Sequence, residues 1–210
     1  VSLSRVRLTA HETLIDGDDE SDAALAAQFA DRHVLEFPDL LQPDVLERLA
    51  PAIRTARFVP RSEDGVGARL RERPTRLGNI LCFLLQRDAL RDWLTRITGV
   101  SPLVAVNGAV ARFECGGGQG LDWHNDRDQT GRLLAVTINI GGVPYEGGVF
   151  EMRRCDTGEV LFAHYHQRPG SALVFRVSKA LEHRVTSVSA GGPRTVFSGW
   201  YLRKPLESRT

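Results

Sequence analysis

Trp123-His124-Asn125-Asp126 sets an imidazole and a carboxylate two residues apart, and on a strand or at its end two such side chains project from one face. A second histidine, His183, follows 57 residues after Asp126, beside the start of a predicted strand. Two histidines and one carboxylate gathered from different strands make a donor set that grips one side of a divalent ion and leaves its other positions open, which suits Fe(II). Zinc accepts the same ligand types and stays open at this point. An isolated His-x-Asp arises by chance in many chains, so the pair draws its weight from its company. That company is Arg194, eleven residues beyond His183 on the last long predicted strand. A fixed guanidinium beside a metal can pair bidentately with the carboxylate of a bound anion, and a zinc hydrolase has no general need of one.

The elements that must position these residues are read from glycine usage and periodicity. Of the 20 glycines in 210 residues, 14 lie from Gly116 onward, leaving 6 in the first 115. A helical first half and a turn-rich, strand-rich second half follow, in a length that fits one globular domain. Residues 1–100 are expected to supply helical support and a lead-in, and residues 101–204 a β core. The formal net charge of +1 removes the usual electrostatic reason to expect nucleic acid or an anionic membrane as partner. No apolar run approaches the ~20 residues of a spanning helix, and no charged-then-apolar leader opens the sequence. Three cysteines without metal-knuckle spacing make a reducing cytoplasm the expected setting.

Along the chain, the acidic alternation Asp16, Asp18, Glu20, Asp22 lacks the glycine and glutamate of a calcium loop, and reads as a solvated segment before a short helix over 22–31. A brief strand follows over His33–Phe37, then a helix from Pro43 that Pro51 should kink or end. Residues 61–77, charged and without periodicity, read as a surface loop and candidate lid. The spacing of Leu81, Leu84, Leu85, Leu90, Trp93 and Leu94 predicts one helix over Asn79–Ile97. From Leu103 the period becomes two, with strands expected over 103–113, 133–140, 148–153, 160–164, 172–177, 184–188 and 194–202. So many short strands without intervening helices argue for a sandwich, jelly roll or barrel.

Several motifs taken in order carry a resemblance across roughly Val104 to Leu202. They are W-H-N-D (123–126), R-L-L-A-V-T-I-N-I (132–140), Y-E-G-G-V-F (145–150), P-G-S-A-L-V-F (169–175), E-H-R-V (182–185) and P-R-T-V-F-S-G-W (193–200). The chain resembles the Fe(II)- and 2-oxoglutarate-dependent oxygenases of the prolyl-4-hydroxylase-like superfamily. The resemblance implies an α+β, mainly β fold, a double-stranded β-helix (jelly roll) with N-terminal supporting helices, spanning residues 1–210 as one domain. It implies His124, Asp126 and His183 as iron ligands and Arg194 as partner of the distal carboxylate of 2-oxoglutarate, with O2 as second cosubstrate. Ser198, in step with Arg194, is expected to add a hydrogen bond. Thr137 and Asn139 share a strand face opposite Val136, Ile138 and Ile140, which makes Asn139 a further cosubstrate candidate.

The implied activity is a dioxygenase that hydroxylates or otherwise oxidises a C–H bond of a small molecule, such as an amino acid or natural-product intermediate, releasing succinate and CO2. A peptidyl or protein side-chain substrate is the main rival. A zinc hydrolase, a cupin-like enzyme that needs no oxoacid and a non-catalytic sensor remain as other classes. Two departures stand out: Phe113 occupies a position where many relatives carry tyrosine, and Val196 one where they carry serine. Asp126 itself argues against halogenation, since the halogenating branch replaces this carboxylate with a small residue. Gly116–Gly120 lacks the lysine of a phosphate loop and reads as the lip of the barrel mouth. His164 and His166 are expected at the surface or rim, and Arg112, Arg153, Arg154 and Arg176, in or beside barrel strands, either bind an anionic substrate or, as the favoured reading, point outward into solvent.

Overall fold

The computed structural model describes residues 5–126 and 131–205. A small hairpin, β1 (Val6–Leu8) and β2 (Thr13–Ile15), precedes α1 (Asp19–Arg32), β3 (Val34–Phe37) and α2 (Pro43–Thr55). A second hairpin, β4 (Phe58–Glu63) and β5 (Gly67–Glu72), leads into α3 (Arg76–Leu85) and α4 (Asp88–Thr98). The remainder is strand: β6 (Ala105–Phe113), β7 (Gly120–His124), β8 (Arg132–Asn139), β9 (Tyr145–Gly147) and β10 (Phe150–Arg154). It continues with β11 (Val160–His164), β12 (Ala172–Arg176), β13 (Leu181–Val185), β14 (Val188–Gly191) and β15 (Arg194–Leu202). Among the described residues no helix is long and apolar enough to cross a membrane.

The main sheet is antiparallel and runs β11-β10-β13-β7-β5-β6-β15-β8-β12-β3, with β4 outside β5 and a separate β9–β14 ladder. It curls into a nearly closed barrel whose end strands are bridged by His164 Nδ1 and Glu36 Oε2 at 3.0 Å. Alternation sorts the side chains. Val110, Val136, Ile138, Phe197 and Tyr201 face outward and pack with Leu77, Leu81, Trp93 and Leu94 of the helices, whereas Ala135, Phe150, Phe175 and Val185 fill the interior. Phe197 shows how closely this layer is built. An added Cβ at Gly108 would lie 2.3 Å from its ring, and one at Gly199 2.6 Å, so two glycines on adjacent strands make its slot.

Several expectations change. Residues 61–77 are not a loop: they contain most of the β4–β5 hairpin and the start of α3, and β5 pairs with both β6 and β7. Strands from the first 100 residues are thus woven into the main sheet. The single helix expected over 79–97 is two, broken at Gln86–Arg87 by tertiary ties. The Gln86 amide donates to Val104 O and accepts from Val106 N, while the Arg87 guanidinium donates to the carbonyls of Thr9, Ala10 and Glu12. The first helix begins three residues early because Asp18 and Ser21 form a reciprocal cap. Asp16 pairs with Arg7, and Asp22 with Arg96, so the acidic run serves caps and ion pairs. Pro51 does not end α2. It sits on the exposed side of that helix, which Val45 and Leu49 anchor from the buried side.

The start of α3 depends on one buried acid. Thr75 provides no side-chain cap. Instead Glu72, only 2% exposed at the end of β5, accepts from Leu77 N at 2.7 Å and Gly78 N at 3.1 Å. A carboxylate at a helix N-terminus satisfies orphan donors and complements the positive end of the helix dipole. Glu72→Ala is therefore expected to lower stability by about 1–3 kcal/mol, read as a reduced urea midpoint. An unchanged midpoint would show that α3 is held by its apolar face alone.

Candidate functional site

His124 is the last residue of β7, Asp126 stands just beyond it, and His183 lies in the middle of β13. The register sets His124 directly opposite His183, so both imidazoles enter the barrel side by side, with ring centres 4.2 Å apart. Asp126 closes the group, its Oδ1 3.9 Å from His124 Nε2 and its Oδ2 3.4 Å from His183 Nε2. One ligand atom from each residue lies within 4.8 Å of the other two. Donors held ~2.1 Å from one ion lie roughly 3 Å apart when mutually perpendicular, so a small contraction closes this group on a metal.

The protonation states fit as well. His124 Nδ1 lies 2.6 Å from the Asp122 carbonyl, to which it donates, and this leaves Nε2 as the lone-pair donor. His183 packs against Phe150 and Phe175, with ring centres at 5.7 and 4.8 Å. Burial there pushes its pKa down to about 4, against the opposing pull of Asp126. The ring is neutral at physiological pH, as a metal ligand must be. Arg132 reaches Asp126 from β8, 3.5 Å from Oδ1, and lies 3.7 Å above the ring of Trp200.

Arg194, the first residue of β15, is 2% exposed. Its register partner Phe113 lies beneath it, with the guanidinium carbon 5.1 Å from the ring centre. The Tyr145 hydroxyl lies close to it and donates to the His166 carbonyl. Gly148, with φ of 62°, passes so near that an added Cβ would lie 2.8 Å from Arg194 Cδ, which gives the Gly147-Gly148 turn a physical reason. Arg194 Nε has no partner although it is fully buried. A buried cation with an unmet donor is costly without a counter-anion, and that is the state expected of a site built for a carboxylate.

The other sequence candidates divide. Ser198 lies on the Arg194 face of β15, opposite Thr137 of β8. Thr137 and Asn139 share the opposite face of their strand from Val136 and Ile138, and both are buried. The amide of Asn139 is engaged, donating to Gln167 O at 2.7 Å and accepting from Gly141 N at 3.0 Å. Arg112 lies over Phe58, Arg153 pairs with Glu182, Arg154 with Glu159, and Arg176 donates to Thr98 O. His166 departs from the expected rim position: it is fully buried, with Nε2 on Ser171 O and Nδ1 without a partner. Tyr145 stood in the motif Y-E-G-G-V-F, but nothing in its spacing marked it as a neighbour of Arg194.

Residues 108–202, which contain all three donors and Arg194, match the model of the 2OG-Fe(II) oxygenase superfamily. Over those residues, somewhat under half of its length, the chain is similar to that superfamily. Its members use Fe(II), 2-oxoglutarate and O2. The chain has the fold of a Pseudomonas putida prolyl-4-hydroxylase, with 19% identity, a TM-score of 0.64, and coverage of 88% of this chain and 100% of that one. It is also similar to a Trichoplax adhaerens prolyl hydroxylase solved with a hypoxia inducible factor oxygen degradation domain peptide fragment (15% identity, TM-score 0.64, 88% and 90% covered). The epimerase SnoN, solved with Fe3+, alpha ketoglutarate and nogalamycin RO, aligns at 16% identity and TM-score 0.65 over 92% and 93% of the two chains. At such identities the likeness is one of fold. A comparison with curated protein sequences returns no match.

His166 also makes a pH signature. Burial first, then the charge of Arg194, lowers its pKa from 6.5 to about 3. The unfolded chain binds a proton below pH 6.5 that the folded chain refuses, so stability is full above that pH and falls as pH drops towards 3. At pH 5 the loss is about 2 kcal/mol. His166→Gln should flatten the decline in unfolding midpoint between pH 7 and pH 5; an unaltered slope would show that His166 does not titrate this way.

Proposed function

We propose that the protein is an Fe(II)- and 2-oxoglutarate-dependent dioxygenase that hydroxylates a C–H bond of a small molecule. The observation that carries this reading is the convergence of His124, Asp126 and His183 in a barrel whose interior also holds Arg194 with an unmet donor. His124, Asp126 and His183 would hold the iron, and Arg194 the distal carboxylate of 2-oxoglutarate. Iron, 2-oxoglutarate and O2 together, when bound, supply an oxidant for C–H cleavage, with the cosubstrate leaving as succinate and CO2.

What the chain contributes is position and charge. The Asp122 carbonyl fixes the tautomer of His124, and burial against Phe150 and Phe175 keeps His183 neutral. Arg132 steadies Asp126 through its carboxylate and its carbonyl. Tyr145 lies beside Arg194, and Phe113 beneath it supplies an apolar floor in place of a phenol. The retained carboxylate of Asp126 favours hydroxylation over halogenation. Because the fold is shared by proteins solved with a peptide fragment and with nogalamycin RO, it does not choose the substrate; the charged mouth described below favours a small polar molecule.

Two substitutions test the assignment. Under anaerobic conditions the Fe(II) protein should develop a visible charge-transfer band with 2-oxoglutarate. Asp126→Ala should abolish both the band and succinate release. Arg194→Met should raise the 2-oxoglutarate concentration for half-maximal band by at least about 100-fold, since removing one partner of a buried charge pair costs about 3–5 kcal/mol. Succinate release by Asp126→Ala at the rate of the unaltered protein would sink the assignment.

A further inference from the structure

The β4–β5 hairpin turns one face towards the barrel interior, and that face is arginine. Arg71 pairs in register with Ala111, which lies in the interior cluster with Phe113, Tyr145 and Val196 around the Arg194 pocket. Pairing in register puts side chains on one face, so Val59 and Arg71, and Arg61 and Arg69, point the same way as Ala111. The alternate residues serve the other side: Glu72 caps α3, and Arg112, opposite Leu70, lies over Phe58. At its tip the hairpin is tied to the strand of His124, with Asp122 N donating to Val66 O at 2.7 Å and Gly67 opposite Leu121. It therefore lines the barrel mouth between the iron-ligand strand β7 and strand β6.

The charge of this face is unbalanced. Glu63 is the acid within reach, 3.4 Å from Arg61 and 3.1 Å from Arg69. Arg71 forms no ion pair among the described residues, and its buried Nε has no acceptor. Burial first, then the charges of Arg73, Arg69 and Arg61, weaken its hold on its proton, with Glu63 opposing them. The arginines flanking Trp123 are matched by contrast. On the outer face Arg153 pairs with Glu182 and Arg184 with Glu151, and both stack on Trp123. Like charges left together and partly desolvated are destabilising unless an anion joins them, and a guanidinium fork is the group that grips carboxylate or phosphate bidentately.

We propose that Arg71, with Arg69 and Arg61, binds an anionic group of the primary substrate, a carboxylate or a phosphate, so that this oxygenase acts on an anionic small molecule. The proposal rests on the function proposed above and names the substrate class of that same site. The anion would be held on the hairpin face while the remainder of the molecule extends towards His124, Asp126 and His183.

The test uses the full chain with Fe(II) and 2-oxoglutarate, anaerobically for binding and then with O2 for turnover. The probes are twins: N-acetyl amino acids against their methylamides for the carboxylate arm, and sugar and serine monophosphates against the parent alcohols for the phosphate arm. Perturbation of the charge-transfer band and succinate release are recorded for each. In one arm the charged twin should act at a concentration at least tenfold lower than the neutral one, and that preference should vanish in Arg71→Gln and shrink in Arg61→Gln/Arg69→Gln. The band of each variant reports whether its iron site is assembled. Neutral twins acting equally well, silence of every anionic probe at millimolar concentration, or a preference that survives both variants would overturn the proposal. Absence of the band from the unaltered chain would instead overturn the iron assignment, so the two can fail separately.

Discussion

The site depends on a single registration: β7 lies against β13 with His124 facing His183. Side chains alternate along a strand, so a slip of one residue would send an imidazole through the barrel wall into solvent. On its other flank β13 is aligned by ion pairs on the outer surface. Glu151 and Arg184 are direct partners across β10 and β13, as are Arg153 and Glu182, and each pair is also an ion pair. Shifting β13 by one position would break both matches. Individually such exposed pairs contribute little to stability, but here they encode alignment, and alignment is what brings three ligand atoms to one point.

Inside the barrel the controlling variable is exclusion of water. The walls about His183 are aromatic, and the same desolvation that holds that ring neutral acts on Arg194 a few strands away. For a histidine the outcome is a competent lone pair. For a guanidinium, which keeps its proton, the outcome is a strong field with few competitors, floored by Phe113. One apolar enclosure thus holds a neutral imidazole at one place and a buried cation at another, the two ends that the proposed chelating dicarboxylate would require.

Much of this was legible in the residues. The strands of the second half announced themselves because one face packs on helices and glycine-rich turns part them, and the His-x-Asp pair stood at a strand end where two side chains share a face. The β4–β5 hairpin did not. Arg61, Arg69 and Arg71 face a polar mouth, so the apolar beat that identifies a strand is missing. The break between α3 and α4 was hidden because Gln86 and Arg87 are pulled out of the helix by carbonyls distant in sequence. Burial of His166 arises from Ser171 and the surrounding fold, which no local spacing records. Asn139 shows the converse: a polar residue on an inward face, its amide already engaged by the backbone.

The slot that holds Phe197 has an evolutionary consequence. Its ring occupies the volume that side chains at Gly108 and Gly199 would fill, so neither glycine can acquire a methyl group while the phenyl remains. Loss of the phenyl first would leave a void between two strands bare of side chains. The three positions therefore form one heritable unit. Across descendants of this chain they should be kept or exchanged together, although 89 residues separate the first from the second in sequence.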